Sequence, residues 1–178
     1  MGMWKSRGLR GSFLEDLINK SNELYLEKGL ALIQKIPTPI TPIKIDKEHH
    51  QITLAYFEKK STVDYIGAVQ GIPVCFDAKE CHQNVFHLQN LHEHQVDFMT
   101  NMEHQGGIAF LLIYFSVTDE IYYMTYQEMM RFWQRMEQGG RKSFRKSELC
   151  PDFYLEQNVG GIFIPYLEGI QKDLELRD

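Results

Sequence analysis

Apolar and polar positions alternate most regularly between Ser61 and Glu80 (STVDYIGAVQGIPVCFDAKE). Val63, Tyr65, Val74, Phe76 and Ala78 take one side of the alternating runs; Asp64, Asp77 and Lys79 take the other. A period of two marks extended chain with one buried face. A two-residue turn at Gln70-Gly71 folds the stretch back on itself, setting Asp64 opposite Asp77 and Thr62 opposite Lys79. Directly opposed residues of an antiparallel pair share a face, with Cβ atoms roughly 5 Å apart. The spacing predicts two carboxylates and a lysine gathered on one side of a hairpin whose other side is apolar.

The remaining pattern alternates between helical and extended periods. Ser12 with Glu15 fits a capping box and Gly29 a helix stop, which predicts a first helix over Ser12–Lys28 with Leu14, Leu17, Ile18 and Tyr25 inward. Leu30–Ile36 reads as a strand, and Pro37, Pro39 and Pro42 exclude helix after it. Ile43–Gln51 is polar and Ile52–Phe57 alternates. Residues 39–57 are therefore expected to project as a hairpin: the segment is long, proline-stiffened and poor in large apolar side chains. Leu88–Gln105 predicts a second helix with Leu88, Leu91, Gln95, Phe98, Met99 and Met102 near one side, stopped by Gly106-Gly107. Ile108–Ser116 is apolar on both faces, as a central strand requires, with Glu120–Thr125 as its hairpin partner. Gln127–Gln138 predicts a third helix, Gly139–Ser147 a basic loop and Ile164–Leu174 a closing helix. The order predicts an α/β fold, a mixed central β-sheet flanked by helices on both sides, in a single domain over residues 1–178.

Composition narrows the class. A hydrophobic share of 43% over 178 residues supports one substantial core and argues against a disordered chain. No apolar run approaches the roughly 20 residues that span a bilayer, so no membrane is expected as a partner. Cys75, Cys81 and Cys150 are odd in number and form no CxxC, which fits free thiols in a reducing, cytoplasmic setting. The net charge of −5 gives no global sign of nucleic acid, so positive charge has to be read locally. Arg141, Lys142, Arg145 and Lys146 form the densest basic cluster, and Arg10, Lys59 and Lys60 add further candidates for phosphate contact.

An aspartate followed by Asp-x-Lys is the set that metal-assisted phosphodiester hydrolysis requires. Carboxylates hold Mg²⁺, with Mn²⁺ as the alternative ion, and an ammonium orients water or offsets charge on the phosphate. Glu15 adds a further acid if the first helix packs beside the hairpin. A solvated charged face is the plain alternative for an isolated match of this kind.

Longer segments carry more. FLEDLINKSN (Phe13–Asn22), KIPTP (Lys35–Pro39), AYFEKKSTVDYIG (Ala55–Gly67), FDAKE (Phe76–Glu80), FHLQNLHEHQ (Phe86–Gln95) and FWQRMEQGGRKSFRKSEL (Phe132–Leu149) occur in one order along the chain. On these segments the chain resembles the RecU-type Holliday junction resolvases, a branch of the PD-(D/E)xK nucleases. The resemblance implies a restriction-endonuclease-like fold and Mg²⁺-dependent cleavage of four-way DNA junctions in homologous recombination and repair. Asp64 and Asp77 would bind the metal with Thr62 nearby, Lys79 would be the catalytic lysine, and Glu15 and Gln95 would assist. It further implies a homodimer, a stalk at residues 39–57 that enters the junction, and recombination proteins as partners. Asp77 stands where the family pattern usually has Glu. A module that binds branched DNA or a recombination protein without cutting, and a less selective nuclease, are the alternatives on the same fold.

Overall fold

The structure, a computed structural model, describes residues 13–57 and 62–177. The first helix, α1 (Phe13–Glu27), is followed by β1 (Ala31–Lys35), β2 (Ile40–Asp46), β3 (Gln51–Phe57), β4 (Tyr65–Val69), β5 (Ile72–Cys81) and β6 (Val85–His87). Then come α2 (Glu93–His104), β7 (Ile108–Phe115), β8 (Glu120–Thr125), α3 (Tyr126–Glu137), β9 (Ser143–Arg145), β10 (Tyr154–Leu155) and α4 (Tyr166–Glu175). Six strands form one mixed sheet in the order β1-β4-β5-β7-β8-β10, in which only β5 and β7 run parallel. The long connection that parallel pairing demands is supplied by β6 and α2. The proposed capping residue Ser12 lies outside the described residues.

Register separates the two faces of the sheet. Tyr65, Phe76 and Phe110 are successive partners across β4, β5 and β7. Their rings stack at centroid distances of 4.7 and 4.6 Å, and Tyr123 of β8 continues the row at 4.5 Å from Phe110. Ring pairs of this kind add about 0.5–1.5 kcal/mol each beyond burial. α1 and α4 cover this face: the Tyr65 hydroxyl donates to Asn19 at 3.1 Å and Tyr166 packs on Phe76. The opposite face carries Asp77, Lys79 and Ile113 on β5 and β7, with Tyr122 opposite Ile113 on β8. α3 lies there, Glu128 accepting from the Tyr122 hydroxyl, and α2 lies beside it through a 3.0 Å bond from the Tyr126 hydroxyl to Thr100. The expected helices on both sides are thus observed, two to a face.

Gly67 shows how closely β1 and β4 are drawn together. A Cβ at this position would lie 2.0 Å from the carbonyl oxygen of Leu32, which is backbone and cannot rotate away. Gly67→Ala is expected to force the edge strand off the sheet. A loss of about 3 kcal/mol, at the upper end for overpacked sites, should appear in urea unfolding.

Three expectations change. The predicted second helix is interrupted: residues Leu88–Asn90 form one 3-10 turn, and α2 begins anew after His92. His92 is extended there because its backbone N–H is taken by the side chain of Gln95, a capping arrangement that starts a helix at that point. The predicted basic loop is partly strand, since β9 pairs with β6 through Phe144 opposite Phe86. The hairpin at 39–57 exists as the separate two-stranded sheet β2-β3, but it is not poor in apolar side chains. Ile40, Ile43, Ile45, Ile52, Leu54 and Tyr56 stand 47–59% exposed along it. Pro42 is tolerated inside β2 because the register shifts immediately after it, where a ladder bond is not required.

Candidate active site

The turn at Gln70-Gly71 has φ of +47° and +85°, the left-handed pair that a tight hairpin needs, and glycine supplies the second without strain. Its consequence is the register Val69 opposite Ile72 and Tyr65 opposite Phe76, which continues to Asp64 beside Asp77. At this point the ladder changes character. The Asp64 backbone N–H donates to Asp77 Oδ1 at 2.9 Å, and the Ala78 N–H donates to Asp64 Oδ2 at 3.0 Å. Each carboxylate therefore takes a rung that a backbone carbonyl would otherwise hold. Both side chains are fixed by the strand opposite their own.

Asp77 is fully buried, and a buried carboxylate survives as an anion only with partners. It has three donors: the Asp64 amide, the Lys79 ammonium in an ion pair, and Gln95 Nε2 at 3.0 Å. Gln95 comes from the first turn of α2, which roofs this part of the sheet. Its Oε1 accepts from the His92 N–H at 3.0 Å and from Lys79 Nζ at 3.4 Å. The amide has one orientation, because Asp77 can only accept and His92 N–H can only donate.

Burial, and then the negative charge of Asp77, push the Asp64 carboxyl from 3.8 up to about 6, against the opposing pull of the Ala78 amide and Lys79. Two adjacent acids and a single lysine leave an excess of negative charge when all three are ionised. This donor set fits a hard divalent cation. Mg²⁺ is commonly held by one or two carboxylates and completes its shell with water and substrate phosphate. Among the described residues no group of three or more His, Cys, Asp or Glu side chains gathers at metal-binding spacing.

The structure brings Asp64, Asp77, Lys79 and Gln95 together. Thr62, half-buried, lies two residues before Asp64 on the approach to β4. Glu15 reaches the hairpin from the other side of the sheet. α1 packs on the Tyr65 face, the Glu15 carboxylate pairs with Lys35 at 2.8 Å, and burial, then the charges of Glu15, Asp64, Asp16 and Asp77, raise the Tyr65 hydroxyl. α2 flanks the carboxylates on the opposite face and contributes the Gln95 amide.

The basic residues divide. Lys146 is committed internally: it pairs with Glu120, donates to Thr118 at 2.9 Å and lies over the Tyr154 ring. Arg141 reaches Glu148 at 3.4 Å, and Lys142 and Arg145 are exposed. Arg10, Lys59 and Lys60 lie outside the described residues.

Gln95 carries a signal in the chain that periodicity alone misreads. It sits in the apolar stripe of a predicted helix, yet it is also the third residue after His92, the position at which a glutamine folds back on an N-cap amide. Gln95→Leu removes a donor from Asp77 and leaves the His92 amide without its acceptor. We expect a loss of about 1–3 kcal/mol, the cost of leaving buried polar groups unsatisfied, read as a lower midpoint in urea unfolding.

The chain as a whole is similar to known proteins. Residues 9–172 match the family described as RecU, recombination protein U. A Holliday junction resolvase RecU from Pediococcus pentosaceus is 40% identical over 172 residues, covering 94% of this chain and 86% of that one. Another from Lactococcus lactis subsp. lactis is 41% identical over 174 residues, covering 96% and 81%. A third, from Limosilactobacillus reuteri, is 37% identical over 167 residues, covering 92% and 82%.

Proposed function

The chain belongs to the RecU family, and on that premise we propose that it is a metal-dependent endonuclease that resolves four-way DNA junctions in homologous recombination and repair. The single observation that supports this most is the convergence of Asp64, Asp77, Lys79 and Gln95 at one end of the β4-β5 hairpin, under the first turn of α2.

In this reading Asp64 and Asp77 would hold the cation, with Thr62 alongside; Mg²⁺ is the proposed ion and Mn²⁺ its substitute. Bound there, it would supply a lowered pKa for an attacking water and would offset charge on the phosphate. Everything else falls to the chain. Lys79 has three N–H donors; one meets Asp77 and one meets Gln95 Oε1, which leaves one for a phosphate oxygen or for the nucleophilic water. Gln95 is the positioning residue. It holds Lys79 and Asp77 at a fixed spacing and is itself fixed by the helix cap. α2 lies over the cluster and limits access of bulk water, so the lysine charge acts in a medium where it counts for more.

Two symmetric cuts are needed to resolve a four-way junction, and the described residues of one chain carry one such cluster. We therefore propose a homodimer with two-fold symmetry, with the projecting β2-β3 hairpin directed at the branch point. No helix among the described residues is long and apolar enough to cross a membrane. The test is cleavage of a synthetic four-way junction with Mg²⁺, with the same strands annealed as plain duplex, and with chelator. Cutting of the junction that stops with chelator is expected. Equal cutting of plain duplex would replace the reading with a less selective nuclease, and tight binding with no cutting would replace it with a non-cleaving module.

A further inference from the structure

Three arginines converge on one glutamate on the outer side of α3. Arg135 pairs with Glu148 Oε1 at 2.7 Å, Arg141 with Oε2 at 3.4 Å, and Arg131 donates to the Glu148 carbonyl at 3.4 Å. The guanidinium groups of Arg131 and Arg135 also lie 4.7 and 5.0 Å from the centroid of the Phe132 ring, which is itself buried against Phe144. Two guanidiniums held on one ring lose little freedom on meeting an anion. Arg135 is fixed further by a 2.6 Å bond from Nη2 to the Ser143 carbonyl. Adjoining grooves of about 400 and 410 Å³ share Arg131 and Arg135 as lining residues.

The charge does not cancel locally. Arg131, Arg135, Arg141, Lys142 and Arg145 face only Glu128 and Glu148 among their ion-pair partners, on a chain whose total is −5. The patch is also continuous with the cluster of Asp64 and Asp77. α2 and α3 lie side by side on the same sheet face, and the Lys142 carbonyl accepts from the Leu88 N–H at 3.0 Å, in the segment that leads to His92 and Gln95. A path therefore runs from the carboxylates, over the start of α2 and β9, to the exposed side of α3.

We propose that Arg131 and Arg135, with Arg141, Lys142 and Arg145, form a phosphate-binding track for the DNA arm that leads away from the cut. This rests on the nuclease reading and adds to it a contact surface on α3, a helix that also buries Met129, Phe132 and Trp133 in the core. The partner is the sugar–phosphate backbone, so contact is independent of base sequence.

Salt dependence tests it. Each phosphate contact contributes about 0.9 to the slope of log K against log salt on duplex arms. Arg131→Gln is the informative variant because that side chain is 61% exposed and its loss leaves the α3 core intact. Lys20→Gln on α1, an exposed cation on the opposite face of the sheet, makes the same change in net charge. Junction binding by Arg131→Gln should weaken at every sequence tested, with the slope reduced by about one. Lys20→Gln should match the parent both in slope and in single-turnover cutting. An unchanged slope in Arg131→Gln, or equal weakening in both variants, overturns the track. Failure of the parent protein to bind any junction overturns the nuclease reading and the track with it.

Discussion

Lys79→Ala should bind a four-way junction and cut it about 100- to 1,000-fold more slowly, the scale seen when a group that stabilises developing charge is removed. The expectation follows from where the ammonium sits. Its side chain is 17% exposed, it is paired to a carboxylate with no exposure at all, and it is steadied by Gln95 Oε1. No described lysine or arginine other than Lys79 pairs with Asp77. Removing it also leaves Asp77 with the Asp64 amide and Gln95 alone, so the metal-free variant should lose stability, about 3 kcal/mol by the cost of orphaning one member of a buried pair. Lys79→Met keeps the apolar stem and should show the same cutting defect. Single-turnover cleavage with enzyme in excess, beside gel-shift binding and a thermal melt, separates the three quantities. Cutting within tenfold of the parent in both variants would remove Lys79 from the chemistry.

Asp64→Asn should abolish cutting while making the metal-free protein more stable at alkaline pH. The folded state raises this carboxyl to about 6 from 3.8, so the fold binds its proton more tightly than the unfolded chain does. The proton's contribution to stability is complete below about pH 4 and is lost as pH rises through 6; above that, a buried anion opposes folding. Asparagine cannot ionise. With chelator at pH 8 the variant should gain on the order of 2 kcal/mol, and at pH 4 it should gain nothing. Saturating Mg²⁺ should raise the melting temperature of the parent and leave the variant unmoved, because a ligand stabilises only the state that binds it. At limiting Mg²⁺ the cutting rate of the parent should climb with pH through about 6, as Asp64 becomes a ligand. A flat rate profile together with identical melting at pH 8 would show that Asp64 is neither strained nor a ligand.

The hairpin register was legible because its period is two and its turn is a glutamine-glycine pair: shifting the pairing by one residue would bury Asp64 and expose Tyr65, which a one-sided core forbids. The central strand β7 was legible for the opposite reason, being apolar on both faces. What local pattern leaves out is what covers a face. Asp77 reads as one of a row of charged positions, yet α2 buries it completely, a tertiary fact that reaches the sequence only through Gln95 and its distance from His92. The approach of Glu15 from the opposite face is a related case. Helical periodicity sets the inward stripe of α1 but not the side of the sheet on which that stripe lands. The three-residue strands β6 and β9 are shorter than any alternating pattern can register, and the apolar run of the β2-β3 hairpin is hidden by prolines and charges between its isoleucines.

The crossed rungs at the mouth of the β4-β5 hairpin have a practical consequence. Because the peptide nitrogens of Asp64 and Ala78 each donate to the carboxylate across from them, their amide resonances should move whenever either acid gains a proton or a cation. Two backbone nuclei thus serve as an internal gauge of occupancy, readable in an ¹⁵N-labelled sample without DNA, turnover or any probe attached to the protein.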